Sequence, residues 1–330
     1  LRHLKTYDSF ATIAERCLRE TSTGIAPWLI LDGRDERYRS MMVGQYVLER
    51  INARLNDKSH KETPEPHLTP IATPPVDTQY LSVLGALNLD QRYSKGEYNK
   101  KLTRLQAKVG KLTRQAIAQK HSTIMIFEGW DAAGKGGLIR RFIQPMDARH
   151  YQVIPIAAPT DEEAAHHYLW RFWRHIPRAG DITFYDRSWY GRVLVERVEG
   201  FTHKDVWMRG YTEINDFEEQ LTDNGILLLK FWIHISKEEQ LTRFKARELI
   251  PFKQYKITDE DYRNRERWEA YEHAVNDMVE RTSTEYAPWY LIEGNDKRFA
   301  RIRALEIYCE QLEKLLKKSR KREKESKKRS

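Results

Sequence analysis

The sequence predicts an α/β fold, a parallel sheet covered by helices on both faces, and three observations predict it. Five short apolar runs are nearly continuous rather than alternating, as in strands buried on both sides. Long amphipathic stretches with legible start signals separate them. The first run leads directly into a glycine-rich turn and a new helical pattern.

The chain of 330 residues has room for one large domain or two small ones. Its strongest organisational signal is an internal repeat. Thr21-Ser22-Thr23-Gly24-Ile25-Ala26-Pro27-Trp28 recurs as Thr282-Ser283-Thr284-Glu285-Tyr286-Ala287-Pro288-Trp289, and the match continues through Gly33/Gly294, Asp35/Asp296 and Arg37/Arg298. In each copy an apolar strand (Trp28–Leu31, Trp289–Ile292) ends in a glycine turn before a basic amphipathic helix. Residues 1–55 therefore read as the closing piece of a preceding, similar module. The Leu at position 1, in place of Met, agrees with a processed chain or a fragment. Residues 56–78 read as a linker stiffened by Pro64, Pro66, Pro70, Pro74 and Pro75. One full domain follows over 79–313, and a basic tail over 314–330 is expected to be disordered.

Within the full domain the strands are Thr123–Phe127, Val153–Ala157, Ile182–Tyr185, Ile226–Ile235 and Trp289–Ile292. Thr160-x-x-Glu163 and Ser236-x-x-Glu239 read as capping boxes, with Thr258-x-x-Asp261 a weaker relative.

The formal charge of +9 points toward nucleic acid until its distribution is read. Residues 314–330 hold ten Lys/Arg and two Glu, a net +8, which leaves +1 for everything else. The core is not a basic nucleic-acid binder. No run reaches the ~18 apolar residues of a membrane span, and residues 1–10 lack a signal peptide's apolar stretch. Two cysteines, Cys17 and Cys309, make no disulfide framework, so a soluble protein of the reducing cytoplasm is expected, without membrane partners.

The chemistry concentrates after the first strand. Gly129-Trp130-Asp131-Ala132-Ala133-Gly134-Lys135-Gly136-Gly137 fits G-x-x-x-x-G-K between a strand and a helix. Such a loop wraps so that its N–H groups face phosphate oxygens, which makes Gly129, Ala132, Ala133, Gly134, Gly136 and Gly137 phosphate-binding candidates. Lys135 reaches the outer phosphates. Gly136 stands where Ser or Thr normally offers magnesium a hydroxyl, so Asp131 is the carboxylate to hold the metal. The third strand ends in Asp186, at the edge where open α/β sheets bind ligands, with Arg187 and Arg192 beside it. Arg243 and Arg247, four apart on one helix face, begin a basic lid that continues to Lys253 and Lys256 across the break at Pro251. His166 with His167, and Trp170 with Trp173, read as structural.

With GWDAAGKGG, FYDRSWYGR, the basic lid and TSTEYAPW in view, the chain over about 80–312 resembles the family-2 polyphosphate kinases. The remnant at residues 1–55 resembles the fused tandem modules of the subclass known as polyphosphate:AMP phosphotransferases. The resemblance implies a P-loop kinase-like three-layer fold, a five-stranded parallel sheet between helices, with a helical lid. It implies phosphoryl transfer from inorganic polyphosphate to AMP, giving ADP reversibly, with magnesium as cofactor and manganese as a substitute. Asp131 and Asp186 would bind the metal, and Lys135, Arg187 and Arg192 the phosphoryl oxygens. Arg243, Arg247, Lys253 and Lys256 would close over nucleotide and polyphosphate, and copies of the chain are expected to form a homo-oligomer. The sequence departs from the lid pattern D-P-x-x-x-W-K of many relatives, reading Ile250-Pro251-Phe252-Lys253-Gln254-Tyr255-Lys256. Competing readings are an ATP-dependent nucleoside monophosphate kinase, a polyphosphate:ADP phosphotransferase, and a catalytically silent polyanion-binding module. Asp131 with Gly136 argues against the first, and intact Asp131, Lys135 and Asp186 against the last.

Overall fold

The computed structural model describes residues 7–24, 26–56, 82–251, 254 and 259–329. Residues 57–78 of the expected linker, Lys253, Lys256 and Thr258 lie outside the described residues. The chain divides into two units, Leu1–Glu65 and Pro66–Ser330.

In the first unit, α1 (Tyr7–Thr21) and α2 (Glu36–Asn56) flank the first copy of the repeat. Its hydrogen bonds recur 261 residues later. Trp28 Nε1 donates to Thr21 Oγ1 at 2.7 Å, and Trp289 Nε1 to Thr282 Oγ1 at 2.9 Å. Thr21 Oγ1 donates to Cys17 O, and Thr282 Oγ1 to Met278 O, each at 2.6 Å. Trp28 N and Trp289 N bond Ser22 Oγ and Ser283 Oγ, and Ala26 N and Ala287 N bond Thr23 Oγ1 and Thr284 Oγ1. The surroundings differ: Trp28 is 56 % exposed and Trp289 only 7 %. Trp28–Leu31, expected as a strand, forms none. A strand is defined by its ladder, and within this unit the segment has no sheet to join.

The second unit opens with α3 (Lys95–Ala118), started by a reciprocal capping box between Ser94 and Glu97. Then follow β1 (Thr123–Gly129), α4 (Lys135–Ile143), β2 (Tyr151–Pro155), and the short helices α5 (Asp161–Ala164) and α6 (Trp170–Trp173). Next are β3 (Ile182–Asp186), a 3-10 turn at Trp189–Arg192, α7 (Val195–Val198), α8 (Lys204–Asp223) and β4 (Leu227–His234). The chain closes with α9 (Lys237–Glu248), α10 (Asp259–Glu266), α11 (Trp268–Thr282), β5 (Trp289–Glu293) and α12 (Lys297–Arg329).

All strand pairs are parallel, in the order β2-β3-β1-β4-β5, with Thr123 opposite both Ile182 and Leu227. Helices α3, α4 and α12 pack together on one layer; α7, α8 and α11 form the other. The expected five-stranded sheet between helices is present, each strand within two residues of its sequence bounds. The exception in phase is β2, which starts at Tyr151 because its pairing with β3 begins at Ile182. Of the capping boxes, Thr160/Glu163 is reciprocal. At the other, Ser236 accepts from Glu239 N, but Glu239's carboxylate turns to Arg243 and Ser236 N bonds Asn295 Oδ1.

The order of strands sets the site. From β1 the chain crosses to β2 and β3 on one side, then to β4 on the other. This leaves a crevice at the carboxyl end of β1, between β3 and β4, where open α/β sheets bind ligands. Tail residues 314–329, expected to be disordered, continue α12 instead. Leu312 and Leu316 are buried and Glu313 pairs with Lys108 of α3, so the apolar stripe carries the helix past position 313.

Candidate active site

The loop after β1 is shaped by backbone positions few residues accept. Gly129 has φ +148°, and a Cβ there would come within 2.5 Å of Ile233 O on β4. Ala132 (φ +61°) and Arg187 (φ +67°) are both left-handed without being glycine, strain that clusters at functional sites. Gly134 (φ +110°) caps α4, whose first residue is Lys135. The Lys135 ammonium donates to Gly129 O at 2.7 Å and Trp130 O at 3.3 Å, within the loop it serves.

Behind the loop lies Arg243, and here the lid expectation is corrected. Its side chain faces the backbone of the loop. Buried at 5 % exposure, Arg243 donates to Ala132 O and Ala133 O at 3.0 and 2.8 Å. Its other terminal nitrogen reaches Gly294 O and Asn295 O at 2.7 and 2.9 Å, and Nε pairs with Glu239 at 2.6 Å. By taking the loop's carbonyls from outside, this guanidinium leaves the loop's amides for the inside. Arg247, one turn on, does line the loop's cleft.

The two predicted carboxylates differ in their bonding. Asp131 accepts Arg187 Nη2 at Oδ1 (3.2 Å) and Asn264 Nδ2 at Oδ2 (3.1 Å), while Gln240 donates to its backbone carbonyl at 3.2 Å. Burial opposes its ionisation, but Lys135, Arg187 and the Asn264 bond overcome that and hold its carboxyl below the ordinary range. Asp186 Oδ2 lies 3.7 Å from where a Gly136 Cβ would be. Among the described residues its carboxylate accepts no hydrogen bond. The glycine in the Ser/Thr place thus opens the loop to a carboxylate from the next strand.

The segment after Asp186 is anchored from below. Arg187 N bonds Phe127 O at 3.0 Å, and Ser188 Oγ donates to Glu128 Oε1 at 2.8 Å. Glu128 is buried, and burial pushes its carboxyl up against the pull of Lys135, Ser188 and Arg187. Trp189 Nε1 and Tyr190 OH both donate to Glu218 Oε1, at 3.0 and 2.7 Å, and Lys230 Nζ pairs with Glu218 Oε2 at 2.7 Å. Arg192 pairs with Glu196 at 3.1 Å and lies 4.2 Å over the Tyr168 ring.

Two clefts meet here. One, of about 390 Å³, is lined by Asp131 through Gly137 with Asp186, Arg187 and Arg247. The other, of about 480 Å³, is lined by His166, Tyr168, Arg171, Arg187, Arg192 and Phe201 among others. Arg187 belongs to both walls. In the second, Nε of Arg171 and of Arg192 are buried without an acceptor among the described residues.

A hard divalent cation fits Asp131 and Asp186, which offer oxygen ligands only. Among the described residues no group of three or more metal-binding side chains occurs.

Sequence reading missed Asn264, Gln240 and Glu128, and two cations beside the loop, Lys297 and Arg301. Glu128 stood next to one recognised motif, and its partner Ser188 lay within the other. Asn264 sits in a charged helix with no periodic signal, and Lys297 is distant from the loop in sequence.

A parallel sheet with a phosphate-binding loop at its switch point, a carboxylate on the adjoining strand and two cation-lined clefts define a P-loop, phosphate-binding fold. Residues 92–321 match the family Polyphosphate kinase 2 (PPK2), and the chain belongs to that family. It is 50 % identical over 316 residues to the polyphosphate:AMP phosphotransferase of Pseudomonas aeruginosa, across 96 % of this chain and 63 % of that relative. It is 38 % identical over 237 residues to the ADP-polyphosphate phosphotransferase of the same organism, across 68 % of this chain and 78 % of that one. A crystal structure of a polyphosphate kinase 2 from Pseudomonas aeruginosa superposes with a TM-score of 0.83 at 49 % identity, over 94 % of this chain and 62 % of that one. The chain therefore spans somewhat under two thirds of the AMP-type relative it matches. Among the described residues no helix is long and apolar enough to cross a membrane.

Proposed function

We propose that the chain transfers a phosphoryl group between inorganic polyphosphate and AMP, forming ADP reversibly. The observation that carries this is Arg187, which stands in the wall of both clefts. The donor's terminal phosphate lies in the loop cleft, the AMP phosphate reaches from the larger one, and transfer occurs where they meet. AMP rather than ADP as acceptor is supported by the 50 % match running through residues 1–55 into the main domain. The match to the ADP-type relative covers only 68 % of the chain.

No strong base is required, because a phosphate monoester is already largely dianionic at neutral pH, with its second pKa about 6. The loop amides and Lys135 hold the donor phosphates, Arg187 spans donor and acceptor, and Arg192 and Arg171 present N–H groups to the acceptor. Alignment and charge neutralisation then lower the barrier. Magnesium, with manganese as substitute, would sit between Asp131 and Asp186 and neutralise developing charge on the phosphoryl oxygens.

In this reading residues 1–55 close a preceding similar module, 56–78 link it to the phosphotransferase domain, and the protein works in the cytoplasm as a homo-oligomer. The repeated hydrogen bonds around Trp28 and Trp289 support the module's kinship.

The test is product analysis by ion-exchange chromatography after incubation with magnesium, polyphosphate and AMP, ADP or GMP separately. ADP from AMP is expected, and ATP from ADP with nothing from AMP would overturn the choice of acceptor. Asp186→Asn and Lys135→Ala should abolish turnover in folded protein; near-normal rates in either would overturn the site.

A further inference from the structure

Arg192, in the wall of the larger cleft, is held by groups from four parts of the fold. Its Nη1 donates to Thr202 Oγ1 at 3.0 Å and pairs with Glu196 of α7 at 3.1 Å. Thr202 in turn donates to Glu196 Oε2 at 2.7 Å, which closes the triangle. The guanidinium lies 4.2 Å from the centroid of the Tyr168 ring, a cation–π contact supplied by the segment between α5 and α6. Its stem runs against Gly210 of α8, where a Cβ would come within 2.8 Å of Arg192 Cγ.

Gly210 is the unexpected member of this set. It sits inside the 20-residue α8, where glycine is less favourable than any residue but proline. The room it leaves is taken by the Arg192 stem, with Val193 Cγ1 and Tyr168 OH 3.5 and 3.8 Å from the same point.

The grip leaves one edge of the guanidinium unbonded. Glu196 and Thr202 occupy Nη1, while Nε is buried without an acceptor and Nη2 donates to nothing among the described residues. A stranded N–H of this kind is costly until an oxygen completes it. The side chain is only 14 % exposed, so it has little freedom to turn another edge outward. Nε and Nη2 are also a pair that can bond two oxygens of one phosphate side by side.

We propose that Tyr168 and Gly210 are positioning residues that hold Arg192 with this edge toward the acceptor phosphate. The proposal rests on the phosphotransferase reading above and deepens it. Glu196 already compensates the charge of Arg192, so the contribution of this arginine lies in direction more than in net charge. The grip concerns the acceptor and not the donor, because Tyr168 and Arg192 line the larger cleft and not the loop cleft. If Gly210 served α8 alone, alanine would improve the helix and leave the kinetics unchanged.

The experiment measures AMP binding to the full chain by calorimetry without polyphosphate, and initial rates of ADP formation with AMP and polyphosphate varied in turn. Tyr168→Leu and Gly210→Ala are each expected to weaken AMP binding and raise its KM about tenfold, while the KM for polyphosphate moves less than twofold. Tyr168→Phe, which returns the ring, should recover most of the loss. In an Arg192→Ala background neither substitution should weaken AMP binding further, since both act through that guanidinium. The melting temperature of Gly210→Ala should stay within about 4 °C of the wild type. Unchanged AMP affinity in both single variants, with melting temperatures retained, overturns the positioning role even if the enzyme is active. Losses that persist undiminished in the Arg192→Ala background overturn it as well. AMP binding that depends on these residues without ADP formation upholds the role and overturns the activity. A wild-type chain that binds no AMP overturns both.

Discussion

Asn264 on α10 donates to Asp131 Oδ2 at 3.1 Å, so the helix that follows the lid grips a carboxylate of the phosphate-binding loop. Its Oδ1 is buried without a partner among the described residues, so the amide is oriented by this single bond. A hydrogen bond to a charged group contributes about 1.5–3 kcal/mol. Asn264→Leu is expected to lower kcat/KM about 10- to 100-fold and the melting temperature by roughly 3–12 °C. Asn264→Asp, which sets a second carboxylate against Asp131, should be worse and should respond more steeply to magnesium. Initial rates across a magnesium series measure both.

The two loop glycines have different reasons to be glycine. At Gly129, a Cβ meets Ile233 O at 2.5 Å and φ is +148°, so neither neighbour nor backbone can give way. Gly129→Ala should cost at least about 3 kcal/mol, a drop in melting temperature of roughly 6–12 °C. At Gly136 the nearest atom to a Cβ is Asp186 Oδ2, at an ordinary 3.7 Å. Gly136→Ala should leave stability within about 1 kcal/mol, while Gly136→Ser should lower kcat by offering its hydroxyl to the Asp186 carboxylate. Thermal melts and rates separate the two effects.

What the sequence made legible follows from how local the information was. β1, β3 and β4 are continuous apolar runs, and the loop's glycines and Lys135 lie within nine consecutive residues. Arg243 was misplaced because helical spacing pairs it with Arg247, whereas its partners, Ala132, Ala133, Gly294 and Asn295, come from two distant turns. Charge run alone suggested disorder after residue 313, but two leucines, Leu312 and Leu316, carry the helix onward. Trp28 and Trp289 make the same indole hydrogen bond to a threonine seven residues back, yet only the segment at Trp289 is a strand. Whether such a pattern becomes a strand depends on a neighbour no local pattern can contain.

Lys230 and Glu218 form a fully buried pair beneath the Asp186–Arg192 segment, tied to Tyr190, Trp189 and Thr282 O. Burial pushes the Glu218 carboxyl up and the Lys230 ammonium down, and each charge survives through the other. Removing one partner strands the second, at about 3–5 kcal/mol. Lys230→Met should therefore lower the melting temperature by roughly 6–20 °C. Lys230→Met with Glu218→Gln should recover part of that loss, giving a coupling of more than about 1 kcal/mol in a double-mutant cycle by urea unfolding. Additive losses would mean that the pair acts only through packing.

His234 supplies the acceptor for Trp130, the loop residue stacked on Trp268 at 3.7 Å between ring centroids. The bond requires Nδ1 of His234 to be unprotonated, and burial lowers the imidazole to about 4. Between pH 4 and 6.5 the unfolded chain binds a proton that the folded chain refuses. Stability contributed here is therefore complete above about pH 6.5 and is lost as pH falls toward 4, by about 3 kcal/mol in all. His234→Asn keeps an acceptor near the Nδ1 position and cannot titrate. Urea unfolding at pH 7 and at pH 4.5 should show the wild type losing about 2–3 kcal/mol more than the variant. Trp130 fluorescence should change over the same range in the wild type only. Equal pH dependence in the two proteins would place the acid sensitivity elsewhere in the fold.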